Sequence, residues 1–361
     1  MNQAIMICMA VGALLGGIDR ILGNRFGLGE KFEEGFRLMG SVGLSMAGII
    51  CLTPVIANVL GGAVTKLFSA IGVDPGMFGG ILAIDMGGYQ LAMGLAQDPQ
   101  VGSFAGILVS AIFGCTVVFT IPVGMGTVGE AGRPLFSKGL LMGLIAMPAA
   151  LFLGGVLCGL GVGQTIWQCL PVLAVSALLL VGLVKWPDRL MRGFSAFAGV
   201  IQIVCTIGLT LGAIQYMTGW NLLPGLAPIA EAMEAVSAIA IVMLGSMPLA
   251  ELVRRLLQRP FAWVGRKTGL NDVSTTAILV GAVSVMPALV MMKDMDDRGK
   301  VVNAAFLVCA ASTLSAHLGF TVSAAPELVT PLLAAKLLGG LLGASIAMLS
   351  TQPKRNAAEA A

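Results

Sequence analysis

The chain has 361 residues, of which 57 % are hydrophobic and only 11 % are charged, and its mean hydropathy is +0.95. Soluble domains contain about 25 % charged residues, so a chain this apolar could not cover a water-exposed surface. The net charge of +3 is small, and no basic run interleaved with aromatic residues suggests a nucleic-acid partner. Because the alternating pattern of an outer-membrane barrel is also absent, we expect an all-α polytopic membrane protein in a lipid bilayer.

Apolar segments follow one another along the chain with short connections, which leaves no room for a soluble domain. About 20 apolar residues suffice for one membrane-spanning helix. The first segment has no Lys or Arg before Asp19-Arg20 and so lacks the basic start of a signal peptide, which predicts a retained first span. Eleven segments are expected, near residues 1–22, 39–60, 76–96, 101–123, 135–160, 164–184, 193–217, 229–253, 273–292, 301–323 and 327–350.

Two of these segments differ from plain spans. Segment 76–96 contains Asp85-Met86-Gly87-Gly88 at its centre, and segment 273–292 contains Ser284-Val285-Met286-Pro287. Glycine frees the backbone to turn and proline removes a helical hydrogen bond, so both segments are predicted to be broken or re-entrant. Each is preceded by a residue suited to capping a helix, Asp74 or Asn271.

The basic residues between the segments give the predicted orientation. Short cytoplasmic loops hold an excess of Lys and Arg, and eleven simple crossings would scatter the basic loops over both faces. The conflict disappears if the two interrupted segments do not cross. About nine full transmembrane helices then remain, with the N-terminus outside and the C-terminus cytoplasmic, as expected in a bacterial inner membrane.

Sequence features recur at a constant offset of 197 residues: Gly72 matches Gly269, and Thr116 matches Thr313. Combined with the charge pattern, this spacing predicts an inverted repeat, an arrangement typical of secondary transporters. The first repeat is expected over 1–160, a connecting transmembrane helix over 161–191 and the second repeat over 192–350. Residues 351–361 are expected to form a disordered cytoplasmic tail.

Polar residues inside the segments are the candidate substrate-binding groups. A carboxylate within a span is costly and usually functional, although Asp85 could also cap a half-helix. A substrate contact competes with hydrogen bonding between helices for Gln90, and with bonds to the helix's own backbone for the hydroxyls. His317, the only histidine, could relay a proton or contact a solute. The candidates are Asp85, Gln90, Thr116, Ser312, Thr313 and His317.

Two further hypotheses concern charged residues. Lys336 lies inside segment 327–350, where it could be the counter-charge of Asp85 or could extend to an interface. The charged run after the second interrupted segment is a candidate cytoplasmic gate held by ion pairs, or simply a solvated loop. Its members are Lys293, Asp294, Asp296 and Arg298.

Catalytic chemistry is not indicated. The seven cysteines are scattered without a CxxC, and a single histidine cannot form a metal site alone. No nucleophile elbow, zinc-protease motif or phosphate-binding loop occurs. We therefore predict no enzyme, no cofactor and no metal, and hydrogen or sodium ions as candidate coupling ions.

Several stretches together resemble the ethanolamine-utilisation membrane protein family, the ethanolamine permeases. Their order and spacing cover nearly the whole chain, from about residue 19 to residue 340. They are Asp19-Arg20-Ile21, Phe32-Glu33-Glu34-Gly35-Phe36, Met77-Phe78, Asp85-Met86-Gly87-Gly88, Met291-Met292-Lys293-Asp294-Met295-Asp296, Arg298-Gly299-Lys300-Val301, His317-Leu318-Gly319-Phe320 and Ala325-Pro326-Glu327.

The resemblance implies an inner-membrane permease for ethanolamine, a small cation with one hydroxyl. Asp85 could meet the ammonium, while Thr116, Ser312, Thr313 or His317 could meet the hydroxyl. The chain departs from the family pattern at Ala316 and at Ser284-Val285. Alternating access is the expected mechanism; the alternatives are a channel-like facilitator for a small amine, a membrane anchor or sensor, and a membrane-embedded enzyme. By analogy with similar folds, a homo-oligomer is also expected.

Overall fold

A computed structural model gives the fold of residues 2–82 and 85–351. These residues form helices and turns without any β-strand. The predicted tail lies outside the described residues except for Thr351. The helices are α1 Asn2–Ile21, α2 Leu28–Ala70, α3 Met77–Ile81, α4 Gly88–Leu95, α5 Pro99–Thr127, α6 Gly129–Leu157, α7 Val162–Lys185, α8 Pro187–Thr218, α9 Ile229–Thr268, α10 Asp272–Val283, α11 Val285–Met291, α12 Asp297–Ala310, α13 Ala316–Ala324 and α14 Val329–Ser350.

Eight helices in the described part of the chain are long and apolar enough to cross a membrane, which supports a polytopic membrane protein. Segments 76–96 and 273–292 are both interrupted, as expected. The predicted span over 301–323 is divided as well, because α12 ends at Ala310 and α13 begins at Ala316. The intervening Ser312 has a φ of 51°, a left-handed conformation that cannot continue a right-handed helix.

The two longest helices, α2 and α9, pack against each other at the centre, with α1 against α9 and α8 against α2. Glycines allow the flanking helices to approach closely. A Cβ atom on Gly12 of α1 would overlap the carbonyl oxygen of Gly245 on α9, and one on Gly208 of α8 would overlap that of Gly48 on α2. Small residues at such crossings are typical of helix packing in membranes.

Helix α5 is the most enclosed of the long helices, with 89 % of its apolar window buried by protein. Its middle has π-helical hydrogen bonding over Phe104–Gly114 and Thr116–Thr120. The π-helix is rare and often occurs at functional sites. The broken segment α3–α4 packs along this stretch, and α6, α12 and α14 form a second tightly packed group around it.

Candidate functional site

The first interruption lies against the π-helical part of α5. Helix α3 ends at Ile81, and the chain resumes with a 3₁₀ turn over Asp85–Gly87 that leads into α4. A Cβ atom on Gly88 would lie 2.5 Å from Ser110 Oγ and 2.8 Å from the carbonyl oxygen of Gly79. Glycine is therefore required here for the close approach of the backbone.

The second half contains two interruptions that are hydrogen-bonded to each other. Ser284 is extended between α10 and α11, which leaves the last carbonyls of α10 without helical partners. The turn between α12 and α13 satisfies them: the Ser312 amide donates to Gly281 O at 3.0 Å and the Leu314 amide donates to Ala282 O at 2.8 Å. The Ser315 hydroxyl also donates to the carbonyl of Val283. Buried backbone groups at the break are thus paired without water.

A cavity of about 310 Å³ lies where the interruptions of the two halves meet. Two predicted site residues, Ser312 and His317, line it together with Met86 and Gly87, the neighbours of Asp85. The remaining wall is mostly apolar, as is usual in small-molecule sites. It comprises Leu38, Ser41, Val42, Ser45, Met46, Cys115, Val118, Phe119, Ile201, Met243 and Ala316.

His317 and Ser312 are the two predicted site residues in the lining of this cavity. The His317 ring is buried, with Nδ1 3.1 Å from the carbonyl oxygen of Ala311. Because a carbonyl can only accept, this contact places a proton on Nδ1. Ser312 is half-buried, and its backbone is fixed by the bond to α10. The two residues therefore form a preorganised polar patch in a cavity whose remaining wall is mostly apolar.

Three other candidates do not line the cavity. Thr116 is fully buried, and its hydroxyl lies 2.7 Å from both Ile112 O and Val308 O. Thr313 is equally buried and donates to Ala310 O at 2.7 Å. Gln90 is half-buried on α4 and is not among the residues that line the cavity. The two threonines thus stabilise the backbone beside the site.

Lys336 is completely buried on α14, and its ammonium donates to the carbonyl oxygen of Ala111 at 2.6 Å. Ala111 belongs to the π-helical stretch of α5, against which the Asp85–Gly87 turn also packs. The side chain of Asp85 lies outside the described residues, so its pairing with Lys336 remains a prediction. Burial of an ammonium group costs solvation free energy, which hydrogen bonds and a nearby opposite charge offset. Lys336 is therefore a candidate partner for a carboxylate in this region.

Within the described part of the chain, the four predicted gate residues form no ion pairs with one another. Arg298 donates to the carbonyls of Thr268 and Met348, while Lys293 and Asp294 are exposed. Asp296 caps α12 by accepting from the Gly299 amide at 3.0 Å.

Asp296 also holds the start of the second broken segment, at the beginning of α10. Its carboxylate accepts from Ser274 Oγ at 2.7 Å and from the Asn271 amide at 3.1 Å. Burial raises the pKa of Asp296, but these hydrogen bonds outweigh it and hold the pKa below its usual value. Asp74 has a corresponding role in the first half, accepting from the amides of Gly76 and Asp98. In both halves, a carboxylate therefore holds the start of the broken segment in place through hydrogen bonds.

Sequence reasoning missed two features of the site. Ser41 and Ser45 lie one turn apart on α2 and face the cavity, a spacing that could have been noticed within segment 39–60. Tyr89 of α4 forms an edge-on ring contact with Phe320 of α13, with ring centroids 5.8 Å apart, and its hydroxyl is 3.4 Å from Ala324 O. This long-range contact has no local sequence pattern. No cluster of metal-ligating side chains occurs among the described residues.

Residues 1–350 match the family described as "Ethanolamine utilisation protein, EutH". The chain belongs to the EutH family. A relative from Listeria monocytogenes named "Probable ethanolamine permease EutH" is 39 % identical, over 99 % of this chain and 97 % of its own. The Salmonella typhimurium protein of the same name is 34 % identical, with the same coverages. "Uncharacterized protein YxeR" of Bacillus subtilis is 36 % identical, over 97 % of this chain and 95 % of its own.

No solved structure matches the chain. The family resemblance read from the sequence is confirmed, and with the eight long apolar helices it makes this EutH-family chain a multi-pass protein of a bacterial membrane.

Proposed function

We propose that this chain is a permease that carries ethanolamine across the bilayer by alternating access. The observation that supports it most directly is the cavity of about 310 Å³ where Met86-Gly87 of one half faces Ser312 and His317 of the other. Secondary transporters place their substrate sites between interrupted helices in this way. The printed names of the EutH relatives supply the substrate.

In this proposal the two ends of ethanolamine have different partners. The Asp85 carboxylate attracts the ammonium, and the Ser312 hydroxyl or the His317 ring contacts the substrate hydroxyl. Lys336 is the counter-charge that keeps Asp85 ionised when no substrate is present. Thr116 and Thr313 then act behind these groups by supporting the backbone through their bonds to carbonyl oxygens.

The proposed inverted repeat pairs α1 with α8, α2 with α9, α3–α4 with α10–α11, α5 with α12–α13, and α6 with α14. Helix α7 then connects the two halves. The glycine crossings support this pairing, because Gly48 and Gly245 are 197 residues apart and Gly12 and Gly208 are 196 apart. Each crossing joins a helix of one half to a helix of the other.

Alternating access requires a cavity that is open to one side of the membrane and closed to the other. We propose that this cavity is open towards Ser41 and Ser45 and closed towards Tyr89. Ser41 and Ser45 are exposed on the side towards the end of α2 that holds Arg37. On the other side, the contact of Tyr89 with Phe320 and Ala324 joins α4 to α13. We assign the open side to the cytoplasm, since basic loops cluster there, with the N-terminus outside and the C-terminus inside.

The test is uptake of labelled ethanolamine into liposomes that contain the purified protein, with and without pH and Na⁺ gradients. Saturable uptake with counterflow is expected for a carrier. Uptake without saturation or counterflow would indicate the channel-like alternative. Dependence on one gradient would identify the coupling ion, for which His317 supplies a candidate proton site. No uptake under any gradient would refute the proposal.

A further inference from the structure

The helices pack as two bodies, and each body contains helices from both halves of the sequence. Helices α1, α2, α8 and α9 form the first, which we call the four-helix body, around the contact of α2 with α9. The second, which we call the broken-helix body, is centred on the tight packing of α6, α12 and α14. Helices α5 and α7 pack against this centre, and the broken segments α3–α4 and α10–α11 pack against α5 and α12.

Helix α13 lies at the boundary between the two bodies. The turn before it is fixed to the end of α10, where the Leu314 amide donates to the carbonyl oxygen of Ala282 at 2.8 Å. Its contact with α9 is apolar instead: a Cβ atom on Gly319 would lie 3.1 Å from Cγ of Met243 and 3.9 Å from Cγ2 of Ile239. Apolar contacts have no fixed direction and can be exchanged for others, so α13 belongs to the broken-helix body.

The chain passes between the bodies at three short connections. Residues 71–76 join α2 to α3, Trp186 joins α7 to α8, and residues 269–271 join α9 to α10. The first and third connections contain Gly72 and Gly269, with φ of 69° and 72°. Hinges are usually a few residues at the ends of elements that absorb a change in φ and ψ, and glycine adopts both signs of φ. The two glycines therefore suit hinges.

Two hydrogen bonds between the bodies lie at these same connections. Trp167 Nε1 of α7 donates to the carbonyl oxygen of Ile71 at 2.9 Å, and Arg298 of α12 donates to that of Thr268. Each bond holds the end of a long helix of the four-helix body, directly before the glycine that follows it. A rotation about either connection would move these bonded groups least.

The cavity of about 310 Å³ lies on the boundary between the bodies. Helices α2, α8 and α9 of the four-helix body supply one wall, while Met86, Gly87, Ser312 and His317 belong to the wall of the broken-helix body. Asp85, which the proposed function assigns to the ammonium, is also part of the broken-helix body. The groups assigned to the substrate are therefore on one body, and the facing wall is on the other.

We propose that alternating access occurs by displacement of the broken-helix body along the four-helix body, so that the substrate groups move together past the wall of α2 and α9. This inference rests on the proposed transport of ethanolamine and specifies its moving part. It differs from rocking of one repeat against the other around a fixed site, because each body contains helices from both repeats. Hinged and sliding motions of packed helices are known ways to open and close a site.

A disulfide across the boundary would test the displacement. The distance of 3.9 Å from a Cβ atom on Gly319 to Cγ2 of Ile239 allows cysteines at these two positions to be bridged, and neither residue lines the cavity. Full-length protein with Ile239→Cys and Gly319→Cys would be oxidised in liposomes. We expect uptake of labelled ethanolamine to be about tenfold slower than after reduction, because the bodies can no longer shift. Binding of labelled ethanolamine in detergent should be retained.

The matched control is a disulfide within the four-helix body, from Gly43→Cys and Val236→Cys. A Cβ atom on Gly43 would lie 3.6 Å from Cγ1 of Val236, so the geometry is similar, and uptake should be unaffected by oxidation. Oxidised wild type accounts for the seven natural cysteines. The mass of the protein after alkylation of free thiols would confirm each bridge.

Unchanged uptake by the protein bridged between Ile239→Cys and Gly319→Cys would overturn the displacement, as would an equal loss in the control. Loss of binding together with uptake would also contradict it, because the bridge would then act on the site and not on the motion. Absence of uptake by unmodified wild type would instead refute the proposed function on which the displacement rests.

Gly269→Ala tests the connection itself, because alanine is strained at a φ of 72° and restricts a hinge. Gly219→Ala is the control: Gly219 has a φ of 73° and ends α8, inside the four-helix body. A Cβ atom at either position is free of close contacts, so both variants should lose similar thermal stability. Only Gly269→Ala should slow uptake, by about fivefold. Equal uptake rates in the two variants would contradict displacement about this connection.

Discussion

The broken segment α3–α4 in the first half of the chain and the broken segment α10–α11 in the second half are stabilised differently. In the second half, the breaks at Ser284 and Ser312 complete each other through backbone hydrogen bonds to Gly281 and Ala282. In the first half, the turn over Asp85–Gly87 depends on the close approach of Gly88 to α5, where the buried Ser110 hydroxyl has no hydrogen-bond partner among the described residues. The second half therefore provides a fixed wall. In our proposal, the first half presents the Asp85 carboxylate from a less constrained segment.

The largest effect on ethanolamine uptake should come from replacing Asp85, the carboxylate of the first broken segment. Asp85→Asn keeps the size of the side chain but removes its charge, so uptake at low substrate concentration should fall about a hundredfold or more. Labelled ethanolamine uptake would be measured together with membrane expression. Glu234→Gln, at an exposed position of α9, is the charge-matched control. Wild-type uptake by Asp85→Asn would contradict the role of this half in binding.

A second prediction concerns the buried ammonium of Lys336 and its proposed pairing with Asp85. If Lys336 is the counter-charge of Asp85, then Lys336→Met alone should destabilise the fold by about 3 kcal/mol, because a buried charge loses its partner. Combining it with Asp85→Asn should restore part of that stability. Thermal unfolding of the two single variants and the double variant in detergent would give the coupling free energy. Simple additivity of the two losses would exclude the pair.

The contact between the halves should control access to the cavity. Tyr89→Ala removes both the ring contact with Phe320 and the hydroxyl contact with Ala324. We expect the closed side to open, so that impermeant thiol reagents added there modify Cys115 about tenfold faster.

This measurement needs a background in which Cys8 and Cys158, the cysteines that are not buried, are replaced by serine. Tyr89→Phe, which retains the ring contact, should have a smaller effect than Tyr89→Ala. The same modification rate in all three proteins would show that this contact does not close the cavity.

A smaller effect is expected from the fixed wall. Ser312→Ala should raise the KM for ethanolamine about fivefold, as expected for loss of one neutral hydrogen bond. Ser312→Gly tests the same hydroxyl with a residue that favours the observed φ of 51°.

Thr313→Ala is the matched control for Ser312, because Thr313 is adjacent but faces away from the cavity. Its expected effect is on stability, with little change in KM. A KM increase in Thr313→Ala equal to that in Ser312→Ala would assign both effects to the backbone.

The smallest predicted effect is a loss of stability at the start of the second broken segment, which Asp296 holds. Asp296→Ala should reduce stability near neutral pH by about 1 kcal/mol through loss of the α12 cap. Because the folded pKa of Asp296 is lowered, its contribution is present above the unfolded value of about 3.9 and is lost as pH falls through the folded pKa.

Thermal unfolding as a function of pH would therefore show the two proteins converging in acid. Asp297→Ala removes only a partly exposed ion pair with Lys300 and should change little. A constant difference between wild type and Asp296→Ala at all pH values would refute the titration of this carboxylate.

The sequence predicted the elements whose signals are local. Apolar length identified the long helices, and the glycines after Asp85 and the proline after Ser284 located two interruptions. The break at 311–315 was not predicted, because it results from hydrogen bonds to α10, some 30 residues earlier in the chain. Its sequence contains no proline or glycine that would reveal it.

The same limit applies to the site. Ser312 and His317 were identified because polar residues within apolar segments are informative, and both line the cavity. Thr116 and Thr313 satisfied the same criterion but bond to backbone carbonyls, a distinction that depends on side-chain direction. The charged run suggested ion pairs among Lys293, Asp294, Asp296 and Arg298, whereas Asp296 caps α12 and Arg298 donates to backbone carbonyls. Composition alone does not specify which partner a charge will find.

The glycine crossings have a consequence for the assembly of the chain. Gly12 on α1 contacts α9, and Gly208 on α8 contacts α2, so each crossing joins a helix before α7 to a helix after it. Neither set of helices can complete these interfaces with its own members. The two sets are complementary fragments for which α7 is the covalent tether. A chain cut between α7 and α8 should therefore accumulate only when both pieces are produced in the same cell.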